Sequence, residues 1–159
     1  MHVREWLHKN KHVSTIAACG VILIGIGATA YQLLPERPST QAWYTTDDGK
    51  TWFKDSNRKV PPFEYDGKEA VLAHVRECDG KPFVGYMERY KPEGAKKMRE
   101  YRAQEDAGQE PNEGLASSAG YQLEYKKPGD AKWTSEVEKA QLMMLVDCPD
   151  GSPSEVVWP

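Results

Sequence analysis

Histidine is scarce in this chain. Of four in 159 residues, His2, His8 and His12 come early and only His74 follows. With one histidine beyond residue 12, a Ser-His-Asp arrangement has a single base to draw on, and an HExxH zinc site has no pair. The patterns GxSxG, HExxH, CxxC and the phosphate-binding P-loop are all missing. No catalytic residue is therefore assigned, and no cofactor or metal is expected. An excess of positive charge is also missing: 21 Lys and Arg stand against 24 Asp and Glu, for a net charge of −3. That balance gives no reason to expect a nucleic-acid partner. At 159 residues the chain is too short for a TIM barrel or a two-domain dehydrogenase. No repeat of about 20–50 residues occurs, which argues against a solenoid or a propeller.

What the chain does have is one long apolar run. Val13 to Leu34 is 22 residues without a charge, inside a chain whose mean hydropathy is −0.72. As a helix the run reaches about 33 Å, enough for a hydrocarbon core of about 30 Å. Arg4, Lys9 and Lys11 precede it with only Glu5 opposing, so the positive-inside rule puts residues 1–12 in the cytoplasm. Residues 35–42 then read as a linker, and 43–159 as an extracytoplasmic domain, in the periplasm or at the cell surface. Trp6 and Tyr31 suit the two interfaces. Ala28-Thr29-Ala30 fits a signal-peptide cleavage site, but the run continues through Leu33-Leu34, which favours an uncleaved anchor. Ile16-Ala17-Ala18-Cys19 has the look of a lipobox, yet its apolar core follows the cysteine instead of preceding it. Gly20, Gly25 and Gly27 do not have GxxxG spacing and read as lipid-facing. The part beyond residue 34 has 18 basic and 23 acidic residues and is mildly acidic.

The outer part reads as α+β, with a mainly antiparallel sheet and one surface helix. Trp43-Tyr44-Thr45-Thr46 and Thr51-Trp52-Phe53 flank Asp48-Gly49 as a hairpin. Glu69–Cys78 and Lys81–Tyr90 flank Asp79-Gly80 as a second. A two-residue turn there pairs Val75 with Val84, Ala73 with Tyr86, Leu72 with Met87 and His74 with Gly85, unless Pro82 shifts the register by one. Pro92 to Ala107 is expected as a helix ended by Gly108. Glu110 to Gly120 reads as a polar, mobile loop. Tyr121–Tyr125 alternates like a strand, Lys127-Pro128-Gly129-Asp130 is a turn, and Lys132–Thr134 suits a returning strand. Glu136–Gln141 suits one helical turn. Leu142–Asp147 reads as a central strand, and the tail from Pro149 as irregular.

Thr45-x-Asp47-x-Gly49-x-Thr51-Trp52 resembles the Asp-box of sialidases and other β-propellers over eight residues. The resemblance implies a structural hairpin in which the Asp side chain caps turn N–H groups. It does not imply glycosidase activity, because propellers carry several copies and this chain has one. Asp47 and Asp48 lack the further oxygen ligands that calcium takes. Cys78 and Cys148, both beyond the apolar run, form a natural disulfide pair in an oxidising compartment. A metal site of His74, Cys78 and Cys148 is the alternative, but it has only three ligands. Cys19 reads as packing within the apolar run. Trp43, Trp133 and Trp158 invite a sugar-stacking reading, against which stands ordinary core or rim packing.

The segments TTDDGKTWF, VPPF-x-x-DGKEA, GKPFVGYMERY and CPDG resemble a group of short, membrane-anchored bacterial proteins of the planctomycete type, over about residues 43–91 and 142–151. The resemblance implies an envelope location and no activity. The expected function is that of a non-catalytic, single-pass envelope protein. Its partners are the lipid bilayer and other envelope proteins, and its outer domain is a binding or assembly surface, as in an accessory subunit of a membrane complex. The alternative is a carbohydrate-binding module or a small glycan-active enzyme, secreted or anchored.

Overall fold

The computed structural model describes residues 39–159. The expected cytoplasmic stub 1–12, the expected span 13–34 and residues 35–38 of the expected linker lie outside the described residues. Among the described residues no helix is long and apolar enough to cross a membrane.

Residues 39–159 form one compact unit around an antiparallel sheet. The elements run β1 Gln41–Thr45, β2 Phe53–Ser56, β3 Phe63–Tyr65, β4 Lys68–Cys78, β5 Lys81–Tyr90, α1 Pro92–Asp106, α2 Glu113–Gly120, β6 Leu123–Lys126, α3 Val137–Met144 and β7 Glu155–Val156. Strand order is β2-β1-β4-β5-β6, with β3 and β7 also paired to β4. The α+β class therefore stands, although the described residues hold three helices where one was expected. Gln41 and Ala42, assigned to the linker, already belong to β1.

β4 and β5 form the centre. Asp79-Gly80 makes the turn with both residues at positive φ, and Cys78 pairs with Lys81, Glu77 with Pro82 and Val75 with Val84. Beyond Val75 the register shifts by one, so His74 faces Tyr86, Ala73 faces Met87 and Leu72 faces Glu88. The expected pairs Ala73–Tyr86, Leu72–Met87 and His74–Gly85 are thus corrected, and the irregularity lies at Gly85, not at Pro82. Pro82 is tolerated because a two-residue hairpin alternates hydrogen-bonded and open pairs, and position 82 falls on an open pair. A Cβ on Gly85 would stand 2.9 Å from Arg76 Cγ and 3.0 Å from Val146 Cγ2, so the bulge sits where only a hydrogen fits.

The bulge lets both halves of β5 face the same core. Val71, Ala73, Val75, Val84 and Met87 pack together on one face of the sheet, covered by Trp43, Trp52, Trp133 and Val157. Tyr44, Tyr86, Glu88 and Tyr90 alternate with these and point to the other face, as pleating requires.

α1 starts with Pro92 in its first turn and runs close to its expected span. The loop expected over 110–120 is instead helix α2. The Asn112 side chain caps it by accepting from the Gly114 amide, and Ala119 is fully buried. α2 packs on α1 at Gly94, where a Cβ would stand 3.3 Å from the Ala119 carbonyl oxygen and 2.5 Å from Cβ of Gln122, just beyond α2. The apolar run Leu142–Asp147 is not a central strand, because α3 extends to Met144 and the residues after it make a single bridge, Asp147 to Pro153. Leu and Met favour helix, and Val146 is the one β-branched residue in the run. Lys132–Thr134 returns as a single bridge, Thr134 to Tyr125. The tail is not irregular throughout, since Glu155 and Val156 pair with Glu77 and Arg76.

Candidate functional site

Four places gather polar or exposed apolar groups: the Asp-box turn, a histidine–tyrosine cluster, a cationic hollow and the C-terminal segment.

In the turn after β1, Thr45 Oγ1 donates to Asp47 Oδ1 at 3.0 Å and accepts from the Gly49 amide at 3.0 Å. Asp47 accepts from the Thr51 amide at 2.9 Å and the Thr51 hydroxyl at 2.7 Å. These bonds, the backbone one first, hold the Asp47 carboxyl below the usual carboxylate range. Asp48 and Gly49 both have positive φ, and Trp52 lies against the core. The hairpin is wider than the Asp-Gly signal suggested: Tyr44 pairs with Phe53, leaving a seven-residue loop from Thr46 to Trp52. Both Asp47 oxygens are engaged by the loop itself. Among the described residues no group of three or more His, Cys, Asp or Glu side chains is placed to hold a metal.

Cys78 and Cys148 are joined by a disulfide, S–S 2.02 Å, across 70 residues. It pins the segment after α3 to the β4–β5 turn. In the loop-entropy model such a bond contributes about 4 kcal/mol.

On the helix-bearing face, His74 stacks on Tyr86 with ring centroids 4.0 Å apart, and its Nε2 lies 3.4 Å from Glu88 Oε2. Tyr125 is pushed up to about 12, first by burial and then by the Glu88 carboxylate. Tyr86 and Tyr90 are raised for the same two reasons in the same order. The sequence offers no sign of this cluster, because the bulge at Gly85 sets which residues face His74. Five titratable side chains meet here: His74, Tyr86, Glu88, Tyr90 and Tyr125. Their effect is to hold tyrosines neutral beside a carboxylate.

Between α1 and the β2–β3 connection lies an open hollow of about 430 Å³ lined by Arg58, Lys59, Phe63, Arg99 and Arg102, with Glu64 and Asp106. Its cations are answered locally. Arg58 pairs with Asp106 at 2.6 Å and Glu105 at 3.3 Å, and Lys59 with Asp55 at 2.6 Å. Arg99 donates to the Pro62 carbonyl. The hollow therefore fastens α1 to the sheet, and little net charge is left for an anion.

The tryptophans are dispersed in role. Trp43 lies under Lys54 and donates to the Val157 carbonyl at 3.0 Å, and Trp133 lies under Arg89 at 4.3 Å. Both press on the core, so their rings are engaged on the inside by packing and on the outside by cations. Trp158 alone of the three projects into solvent, 75% exposed. It is joined in exposure by Val137, Leu142, Leu145 and Val156. Large apolar side chains left in water this close together in the chain are the usual mark of a contact surface. Composition showed that these residues exist; the exposure of Leu142 and Leu145 came from α3 and its end replacing the expected central strand.

Neither a family model, nor a curated protein, nor a solved structure matches this chain.

Proposed function

We propose that the protein is a non-catalytic, single-pass envelope protein of the short membrane-anchored planctomycete type, whose outer domain serves as a binding or assembly surface, as an accessory subunit of a membrane complex does. The observation that carries this reading is the exposed apolar set of Val137, Leu142, Leu145 and Trp158, borne on a domain whose other large apolar side chains are mostly covered. A small domain with a closed core loses solubility by keeping such residues in water, and it recovers that loss when a partner covers them. The uncharged run Val13–Leu34, with basic residues before it, supports the anchor and the outward orientation. The disulfide at Cys78–Cys148 suits an oxidising compartment.

The glycan reading draws little support from the tryptophans, since Trp43 and Trp133 carry cations on their outer sides and Trp158 alone of the three is free to stack.

The test is alkaline carbonate extraction of native membranes, followed by protease added from outside. The reading expects the chain to stay with the membrane and its C-terminal domain to be digested from the outside. Release by carbonate, or protection of the domain until the membrane is breached, would contradict it.

A further inference from the structure

Helix α3 is only half covered. Ala140 is its one fully buried residue, while Val137 and Leu142 on the helix, and Leu145 after it, are 66–69% exposed. An eight-residue helix does not persist alone in water, so contacts must hold it. Inside the domain these come from Ala140, Met143, Met144 and the neighbouring chain.

The exposed groups converge at one end of the sheet. Arg76 donates to the Met144 carbonyl at 3.5 Å, and Val156 is the register partner of Arg76. The Ser154 amide donates to the Val146 carbonyl at 3.2 Å. The end of α3 and strand β7 thus flank each other, bringing Leu142, Leu145 and Val156 together. Val157 turns into the core, so alternation leaves Trp158 on the side of Val156.

The chain segment that bears this ridge is acidic, and the neighbouring cation Arg76 is half-buried on the Met144 carbonyl. Residues 135–159 hold five carboxylates and a single lysine, and that lysine, Lys139, is paired with Glu136 at 2.9 Å. Glu138, one turn before Leu142, and Asp147, two residues after Leu145, are exposed beside the ridge, and Asp150 is exposed in the turn that follows.

We propose that this ridge receives a basic amphipathic segment of a partner polypeptide. The segment lays apolar side chains on Leu142, Leu145 and Val156 and sets Lys or Arg against these carboxylates. The inference rests on the assembly reading above and names the chemistry of the partner. A bilayer fits less well, because surface-binding elements carry Lys and Arg and anionic headgroups repel an acidic segment. A second copy fits less well, because a two-fold contact through the ridge would bring like-charged segments together.

The test places the photoreactive residue p-benzoylphenylalanine at Leu142 in the full chain, in the membranes of its own cells. After irradiation the cross-linked peptide is sequenced by mass spectrometry. The expected adduct is a second polypeptide, joined at a segment of net positive charge with apolar residues three or four apart. Its yield falls about tenfold with Glu138→Lys plus Asp147→Lys, and does not fall with Glu110→Lys, an exposed control outside the ridge. All of these charge changes are on exposed residues, and an intact Cys78–Cys148 bond by mass shows that each variant has folded. Adducts to lipid alone, to copies of the same chain, or to a neutral or acidic segment would overturn the proposal, as would no adduct from folded protein. Release of the chain by alkaline wash would instead defeat the anchored reading, and the chemistry of the adduct would still decide this inference.

Discussion

Lys126 Nζ stands 2.6 Å from Asp48 Oδ1, and the Gly129 amide donates to Asp48 Oδ2 at 2.8 Å, so one carboxylate ties the Asp-box turn to the β6 turn 81 residues later. Lys126 in turn lies over the Trp133 ring, which covers the core. The sequence marks Asp48 only as the residue before a turn glycine. The structure makes it the link between two turns and the tryptophan-covered face.

Asp48→Asn should therefore lower stability by about 1 kcal/mol. The position has φ +63°, which Asn tolerates, so the change removes charge without adding backbone strain. Asp48→Ala should cost about 1 kcal/mol more, from the left-handed backbone. Urea midpoints of the two variants check this; equal midpoints for wild type and Asp48→Asn would show that the tie contributes nothing.

Acid should loosen the same face. The carboxyls of Asp48 and Asp47 are held below their usual range, Asp48 first by Lys126 and Asp47 first by the Thr51 amide. A carboxyl lowered in the folded state adds stability that is present above the unfolded value of about 3.9 and is lost as pH falls through the folded value. Thermal midpoints should drop as pH falls below about 4. The drop should be smaller in Asp48→Asn, which has one such carboxyl fewer.

Alkali should act through the other face. Tyr44 and Tyr125 are each raised to about 12, chiefly by burial. In the unfolded chain they lose protons near pH 10, so folding stability declines as pH rises from about 10 toward 12. Absorbance titration should show a group of late-ionising tyrosines, reduced in Tyr125→Phe. Glu88→Gln should move Tyr125 down only partway, since burial is the larger cause. Simultaneous ionisation of every tyrosine near pH 10 in folded protein would contradict the packing described.

Gly85→Ala should cost about 1–3 kcal/mol. The added methyl group meets Arg76 Cγ and Val146 Cγ2 at 3.0 Å or less, and neither side chain is at a free surface. Hydrogen exchange should speed up over residues 144–157, which lean on this point. Protection unchanged there would mean that the segment is held by the disulfide alone.

Turn chemistry was the most legible part of the fold. Asp79-Gly80 fixed the central hairpin and the pair Val75–Val84, and Pro92 with Gly108 bracketed α1. The register beyond Val75 was not legible, because a bulge depends on what packs against Gly85, and Arg76 and Val146 are remote from it in sequence. α2 was hidden by its Gly and Ser content; its signal was Asn112 as a cap, with Leu115 and Ala119 four apart. The run Leu142–Val146 was ambiguous by periodicity, since short apolar runs suit strand and buried helix alike. The cluster around His74 needed the register, and the exposed ridge needed the end of α3, so neither was readable from residues taken in order.

The central claim is a membrane-anchored chain that works by assembly, and native mass spectrometry of the protein extracted from its own membranes in mild detergent tests it most directly. The account predicts the whole chain, two hydrogens light for the Cys78–Cys148 bond, with another polypeptide attached. A solitary chain beginning at Tyr31 would contradict both the anchor and the assembly surface.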